Sequence, residues 1–189
     1  MKKLVFISSL FVAMTLVFVS CGGNDGPAPT PVQKIIKTTW TFSVKGFAGS
    51  SVTLPEAKIN LSDVPGIDAN NFISGEFQSY DNTIQVSGLK NMAGVVLNNF
   101  TIQINSITPI NNFGTVTATP GPNDFGSDEP QGGDKVTSFA KSLFTAYTGK
   151  DKTATLKVTF TPNKDIVASD NVSLIITVNG KYNWNTYNQ

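Results

Sequence analysis

After residue 37, many short segments of the chain alternate apolar and polar residues with a period of two. Apolar side chains occupy every second position in the segments 40–44, 57–61, 73–77, 84–86, 100–104, 154–160 and 172–178, and more weakly in 113–119. Alternation of this kind places apolar residues on one face of a half-buried strand. The pattern predicts about nine strands of the antiparallel kind, apolar on one face and polar on the other.

One segment departs from this period and predicts an amphipathic helix at about 135–148. Its apolar residues recur at offsets of three and four, and they are Val136, Phe139, Ala140, Leu143, Phe144 and Tyr147. Asp134 is the expected N-cap and Gly149 the expected left-handed residue after the helix. We expect the helix to cover an open end or edge of the sheets, the alternative being a membrane-surface or partner-binding helix.

Two turn signals divide the strands. Tyr80, Asp81 and Asn82 predict a turn between two runs, and Asn179-Gly180 stands between the run 172–178 and the pair Tyr182 and Trp184. Asn-Gly suits a type I′ turn, in which both central residues need a positive φ. The C-terminus is therefore predicted to be a β-hairpin.

Many short strands with one helix predict an all-β fold, an antiparallel two-layer sandwich. The pattern resembles immunoglobulin-like or jelly-roll modules in architecture. A lipocalin-like barrel is the alternative, although in that family the main helix follows eight strands, whereas here it precedes three.

The first twenty residues have the order of a signal peptide. Lys2 and Lys3 precede the apolar run 4–19, which is shorter than the roughly 20 apolar residues of a transmembrane helix. Ser20-Cys21 then resembles the lipobox of bacterial lipoproteins, with Phe18 where that family prefers Leu, Val or Ile. The resemblance implies cleavage before Cys21, a diacylglyceryl group on its sulfur and an acyl chain such as palmitate on its amine.

The resemblance also implies a location in the cell envelope. Gly22 follows the cysteine, where some bacteria place an Asp that retains lipoproteins at the inner membrane, so the expected location is the outer membrane. We therefore divide the chain into a signal peptide at 1–20, a lipid-anchored flexible tether rich in Pro and Gly at 21–34, and one sandwich domain at 35–189.

Composition excludes several kinds of chemistry. The chain has no His and a single Cys, so it cannot form an internal disulfide, a Ser–His–Asp or Cys–His catalytic site, or a zinc site built from His or Cys. Its 14 basic residues are all Lys, set against 13 acidic residues. A near-neutral chain without Arg does not favour nucleic acid as a partner.

The loop 120–134 holds a candidate calcium site. Asp124, Asp128, Glu129 and Asp134 supply the oxygen ligands that Ca²⁺ prefers, but their spacing fits no EF-hand. The competing interpretation is a solvated loop without a ligand. We expect the protein to need no bound metal and no cofactor.

The C-terminal aromatic residues are the second candidate site. Tyr182, Trp184 and Tyr187 would form a sugar-stacking platform if exposed, but aromatic residues at period two more commonly pack between sheets.

These observations predict a non-catalytic, lipid-anchored envelope protein with a binding or structural role. The membrane is its partner through the anchor, and a glycan or an envelope protein is the expected further partner. A carbohydrate-binding accessory lipoprotein and a carboxylate-dependent hydrolase are the alternatives. The latter needs two carboxylates about 5–10 Å apart in a cleft.

Overall fold

Over the residues that the structure describes, the fold is all-β with one α-helix, as predicted. A computed structural model describes residues 28–44, 47–111, 113–127, 133–168 and 172–187. The strands are β1 (Thr30–Val44), β2 (Phe47–Gly49), β3 (Val52–Thr53), β4 (Ala57–Asn60), β5 (Phe72–Phe77), β6 (Thr83–Ser87), β7 (Val96–Ile104), β8 (Val116–Thr117), β9 (Asn123–Ser127), β10 (Thr153–Pro162), β11 (Ile166–Ala168) and β12 (Val172–Thr186). The helix α1 spans Gly133–Tyr147, and short 3₁₀ turns lie at Leu61–Asp63 and Lys90–Met92.

The first sheet is organised around β12. On one side, β12 pairs antiparallel with β1 along its whole length, from Thr30 opposite Thr186 to Val44 opposite Val172. On the other side, β6 and β5 follow one another along its edge, and β9 pairs with the outer edge of β6. A central strand with neighbours on both sides has its backbone bonds satisfied within the sheet.

The second sheet repeats this plan around β10. β7 lies along one side of β10 and carries β8 on its outer edge, while β4 and β3 follow one another along the other side. A separate two-stranded ribbon joins β2 to β11.

The two sheets enclose one hydrophobic core. Alternate residues of β12, β6, β7 and β10 point inward and are buried, as the period of two predicts. Phe100 on the second sheet stacks on Phe125 of the first, with ring centroids 4.0 Å apart, and also lies parallel to Phe160. These contacts between facing sheets confirm the predicted two-layer sandwich.

The expected turn at Tyr80–Asn82 is present and interrupts the edge between β5 and β6. Asp81 has a positive φ of 63°, and the buried Asn82 side chain bridges the gap. Its Nδ2 donates to the carbonyl oxygens of Gln78 (2.7 Å) and Tyr80 (2.9 Å), and its Oδ1 accepts the Asn179 N–H at 2.8 Å. One amide side chain thus supplies the bonds that a continuous strand would have made.

The predicted C-terminal hairpin at Asn179-Gly180 is wrong. β12 runs without a turn through both residues, and Tyr182 and Trp184 continue the same strand. Gly180 is required for another reason: a Cβ at this position would overlap the ring of Phe144 on α1. Gly75 on β5 pairs with Tyr182, and a Cβ on Gly75 would likewise overlap the Phe144 ring. A glycine inside a strand here marks a close approach of a side chain to the backbone.

The helix is where the apolar stripe predicted it, with different ends. α1 contacts β5 and β9 of the first sheet and β7 and β10 of the second, and its stripe is buried, so the stripe is core and not an exposed docking face. It begins at Gly133, which places Asp134 in the first turn instead of before it. Gly149 lacks a positive φ, and the left-handed residue after the helix is Lys152, at 50°.

Two further boundaries differ from the prediction. Residues 30–34, assigned to the tether, belong to β1 and pair with β12. Within the loop 120–134, Asn123–Ser127 form β9. Both segments lack a clean apolar alternation, so their strand structure depends on a neighbouring strand that supplies the hydrogen bonds.

We predict that Gly180→Ala lowers the free energy of unfolding by about 1–3 kcal/mol, the usual cost of overpacking. Urea denaturation measures this. Gly121→Ala is the matched control, because the only neighbour of a Cβ there is the Thr119 Oγ1 at 4.0 Å. Combining Gly180→Ala with Phe144→Leu should cost less than the sum of the single changes, and strict additivity would contradict the contact.

Candidate functional site

Several residues of the sequence-predicted sites lie outside the described residues. These are Cys21, Asp128 and Glu129, and the side chain of Asp134 is likewise not described. Asp124 is exposed on β9, and its Oδ1 accepts the N–H of Gly126 at 2.9 Å. In the parts of the chain that the structure describes, no three acidic residues group as a metal site would require.

The sugar-stacking platform is not formed. Tyr182 is 0% and Trp184 3% exposed, and only Tyr187, beyond the end of β12, is open to solvent at 52%. A sugar ring stacks on an exposed aromatic face, so Tyr182 and Trp184 cannot serve this purpose. Their burial agrees with the competing core interpretation.

Tyr182 forms a buried aromatic cluster with two residues of α1. Its ring lies 5.4 Å from that of Phe144, which meets the ring of Tyr147 edge-on at 6.1 Å. Burial raises the pKa of the Tyr147 phenol far above its usual value, and Tyr182 and Asp63 add to the shift. Burial also raises the pKa of Tyr182, and the nearby Thr38 hydroxyl opposes that shift. Both phenols are therefore held protonated in the folded protein.

The Phe144 contact also creates a cleft between α1 and β5. The cleft has a volume of about 440 Å³ and is lined by Gly75, Glu76, Phe77, Lys141, Phe144, Thr145 and Thr148. Gly75 and Gly180 have no side chains beneath the helix, so the ring of Phe144 lies directly against the strand backbones. An open depression lies beside this ring. We call this depression the α1–β5 cleft.

The rim of the α1–β5 cleft is polar and its floor is apolar. Glu76 at the rim forms an ion pair of 3.0 Å with Lys181. The hydroxyls of Thr145 and Thr148 donate to helix carbonyls, at 2.9 and 2.7 Å. The ammonium group of Lys141 and the edge of the Phe144 ring lie beside the ion-paired Glu76 carboxylate, an arrangement suited to an amphipathic small molecule.

Two polar clefts lie at the end of the sandwich where β4 stops and β10 starts. Their volumes are about 390 and 420 Å³, and both include Asn60, Asp151 and Thr153. The Thr153 hydroxyl donates to the side-chain oxygen of Asn60 at 3.0 Å. Lys152 donates to the carbonyl oxygens of Ala69 and Asn70, at 2.5 and 3.2 Å.

The loop before β5 is held by Asp68. Its carboxylate accepts the side-chain N–H of Asn71 at 2.7 Å and the backbone N–H of Asn70 at 3.0 Å. The side-chain hydrogen bond from Asn71 is the largest of several influences that lower the pKa of Asp68, partly opposed by desolvation. Hydrogen bonds to an ionised carboxylate favour its charged form, so the charged Asp68 holds this loop in place.

These three clefts offer binding surfaces with little catalytic chemistry. Among the described residues, Glu76 is the only carboxylate that lines the α1–β5 cleft, and Asp151 the only one that lines either polar cleft. A glycosidase-type reaction needs two carboxyl groups facing one substrate.

Sequence reasoning did not find the α1–β5 cleft. The available signal was a pair of glycines, Gly75 and Gly180, inside strand-like runs. Glycine in such a run indicates either a turn or a close approach of another group, and the Asn before Gly180 favours the turn, whereas the structure has the close approach.

Comparison of the chain with protein-family models, with curated proteins and with solved structures gave no match. Within the described ranges, no helix has the length and apolar character needed to cross a membrane.

We predict that the buried phenols make the fold sensitive to alkali. An unfolded Tyr loses its proton near pH 10, whereas burial keeps the protons on Tyr147 and Tyr182 in the folded chain. Their contribution to stability is therefore complete below about pH 10 and is lost as the pH rises further.

Tyr147→Phe combined with Tyr182→Phe should reduce the loss of stability between about pH 9 and about pH 11, measured from urea midpoints. The exposed Tyr187 supplies the control, Tyr187→Phe, which should follow the wild type. An equally steep decline in the double variant would contradict the prediction.

Proposed function

We propose that this protein is a non-catalytic lipoprotein of the cell envelope, anchored through Cys21 and carrying a sandwich domain with a binding role. The observation that carries the proposal is the short connection between the lipobox-like cysteine and the first strand. β1 begins at Thr30, nine residues after Cys21, and is paired along its whole length with the central strand of its sheet.

This connection limits the distance between domain and membrane. Nine residues span at most about 30 Å when fully extended. The tether is thus shorter than the stretch 21–34 taken from the sequence, because its last five residues belong to the sheet. Attachment to β1 supports firm anchoring, because a pull on this strand is resisted by fifteen residue pairs with β12.

The α1–β5 cleft supports a binding role. Its volume lies within the 300–1,000 Å³ typical of small-molecule sites. The apolar floor at Phe144 and the charged rim at Glu76 and Lys141 suit a ligand with both apolar and polar groups. A single lining carboxylate and the absence of His from the chain support binding in preference to hydrolysis.

Cys21→Ala tests the anchor. In a lipoprotein-processing bacterium fed labelled fatty acid, we expect the wild-type chain to be labelled and membrane-bound. The variant should incorporate no label, because it lacks the sulfur to which the diacylglyceryl group is attached. Ser20→Ala is the matched control, since it keeps a small residue before the cysteine and should be labelled like the wild type. Equal labelling of Cys21→Ala would overturn the proposal.

A further inference from the structure

We infer that the end of the sandwich nearest the anchor is a membrane-docking face, so that the domain rests on the lipid surface and does not swing freely on its tether. The inference depends on the proposed anchoring at Cys21 and adds a partner for a defined surface: the interfacial region of the bilayer.

The docking face is the end of the sandwich at which β1 begins. Thr30 stands opposite Thr186 at this end, and the N–H of Asn185 donates to the carbonyl oxygen of Asn71 at 3.0 Å, just before β5. The loop from Leu61 to Asn71 joins this end of the first sheet to the end of β4 in the second. We define the anchor end as Thr30 with the ranges 61–73, 105–107, 148–153 and 184–187.

Backbone hydrogen bonds connect the two sheets' contributions to the anchor end. The N–H of Leu61 donates to the carbonyl oxygen of Lys152 at 3.0 Å. The N–H of Asn105 donates to the carbonyl oxygen of Thr155 at 2.9 Å, which brings the turn after β7 to the start of β10. The loops of this end therefore form one connected surface.

Exposed apolar side chains are concentrated at the anchor end. Among the described residues, five large apolar side chains are exposed: Ile35, Ile73, Tyr80, Ile107 and Tyr187. Three of them, Ile73, Ile107 and Tyr187, lie at the anchor end, whereas Ile35, five residues along β1 from Thr30, and Tyr80, after β5, lie outside it.

These residue types suit the bilayer interface. Tyr is favoured at the level of the lipid headgroups because it combines an apolar ring with a polar tip, and isoleucine gains from entering the acyl boundary. Ile73 and Tyr187 are 53% and 52% exposed, so each has a large apolar area to bury. Single exposed apolar residues scattered over a surface need no explanation. Three at the end to which the anchor is attached are the side chains that would contact the bilayer.

Charge does not provide this attraction. The anchor end carries Lys150 and Lys152 against Asp63, Asp68 and Asp151. A surface with a small acidic excess gains nothing from anionic lipid. Docking should therefore occur on neutral phosphatidylcholine, and an effective docking face must rely on apolar contact reinforced by the short tether.

The test uses the full-length lipidated chain reconstituted in vesicles of phosphatidylcholine brominated at a shallow acyl position. Tyr187→Trp places a reporter at the anchor end. Tyr80→Trp is the matched control, since Tyr80 is 50% exposed and the next residue, Asp81, is ion-paired with Lys37 at 3.4 Å. Lys37 is seven residue steps along β1 from Thr30, about 23 Å. The native Trp40 and Trp184 are buried and give the baseline.

We expect bromine quenching of the 187 reporter to exceed that of the 80 reporter by about twofold or more, with a blue-shifted emission, because an interfacial Trp lies at the level of the shallow acyl carbons. Adding Ile73→Ser to Tyr187→Trp should bring the quenching down towards the control value. Adding Ile35→Ser instead should leave it unchanged, although Ile35 has nearly the same exposure, 54% against 53%.

The outcomes separate the two proposals. If the chain does not co-float with the vesicles, the anchor is absent and both proposals fail. If it co-floats but the two reporters are quenched equally, anchoring stands and the docking face is overturned. Equal effects of Ile73→Ser and Ile35→Ser would also overturn it, since the site of contact would then not be the anchor end.

Discussion

The insertion of the Phe144 ring against the backbones of β5 and β12 is the contact on which the arrangement of this molecule depends. It requires glycine at 75 and 180, because a Cβ at either position would overlap the ring. The helix is thereby fixed across both sheets, Tyr182 and Tyr147 are enclosed around it, and the α1–β5 cleft opens beside it. Because protein interiors are closely packed, one added methyl group would displace neighbouring side chains of this cluster.

Side-chain amides complete the sheets where the strands are interrupted. Asn82 replaces missing ladder bonds between β5 and β6. Asn123, also buried, donates to the carbonyl oxygen of Val86 at 3.0 Å and accepts the Thr119 N–H at 2.7 Å. In both places a buried backbone group would otherwise lack a partner, which costs about 1–3 kcal/mol per group. The many asparagines of this chain thus include structural members of the sheets as well as turn residues.

The anchor end combines two kinds of surface. It has the polar clefts and the exposed side chains of Ile73, Ile107 and Tyr187. The α1–β5 cleft reaches from the last three residues of β5 to Thr148, which belongs to the anchor end. A domain that rests on this end would therefore hold the Thr148 side of the cleft towards the membrane.

The period of two by itself determined the all-β class, the two-layer sandwich and most of the core, because each half-buried strand must present its apolar residues to one side. The period of 3.6 determined the helix in the same way. Asn179-Gly180 shows what local pattern could not decide: the pair is compatible with a turn, but pairing with β1 and the approach of Phe144 keep β12 extended. β9 and residues 30–34 became strands only because a neighbour offered hydrogen bonds. The cleft, the burial of Tyr182 and Trp184, and the gathering of exposed residues at one end arise from contacts between residues far apart in the chain. Only the tertiary structure brings those residues together.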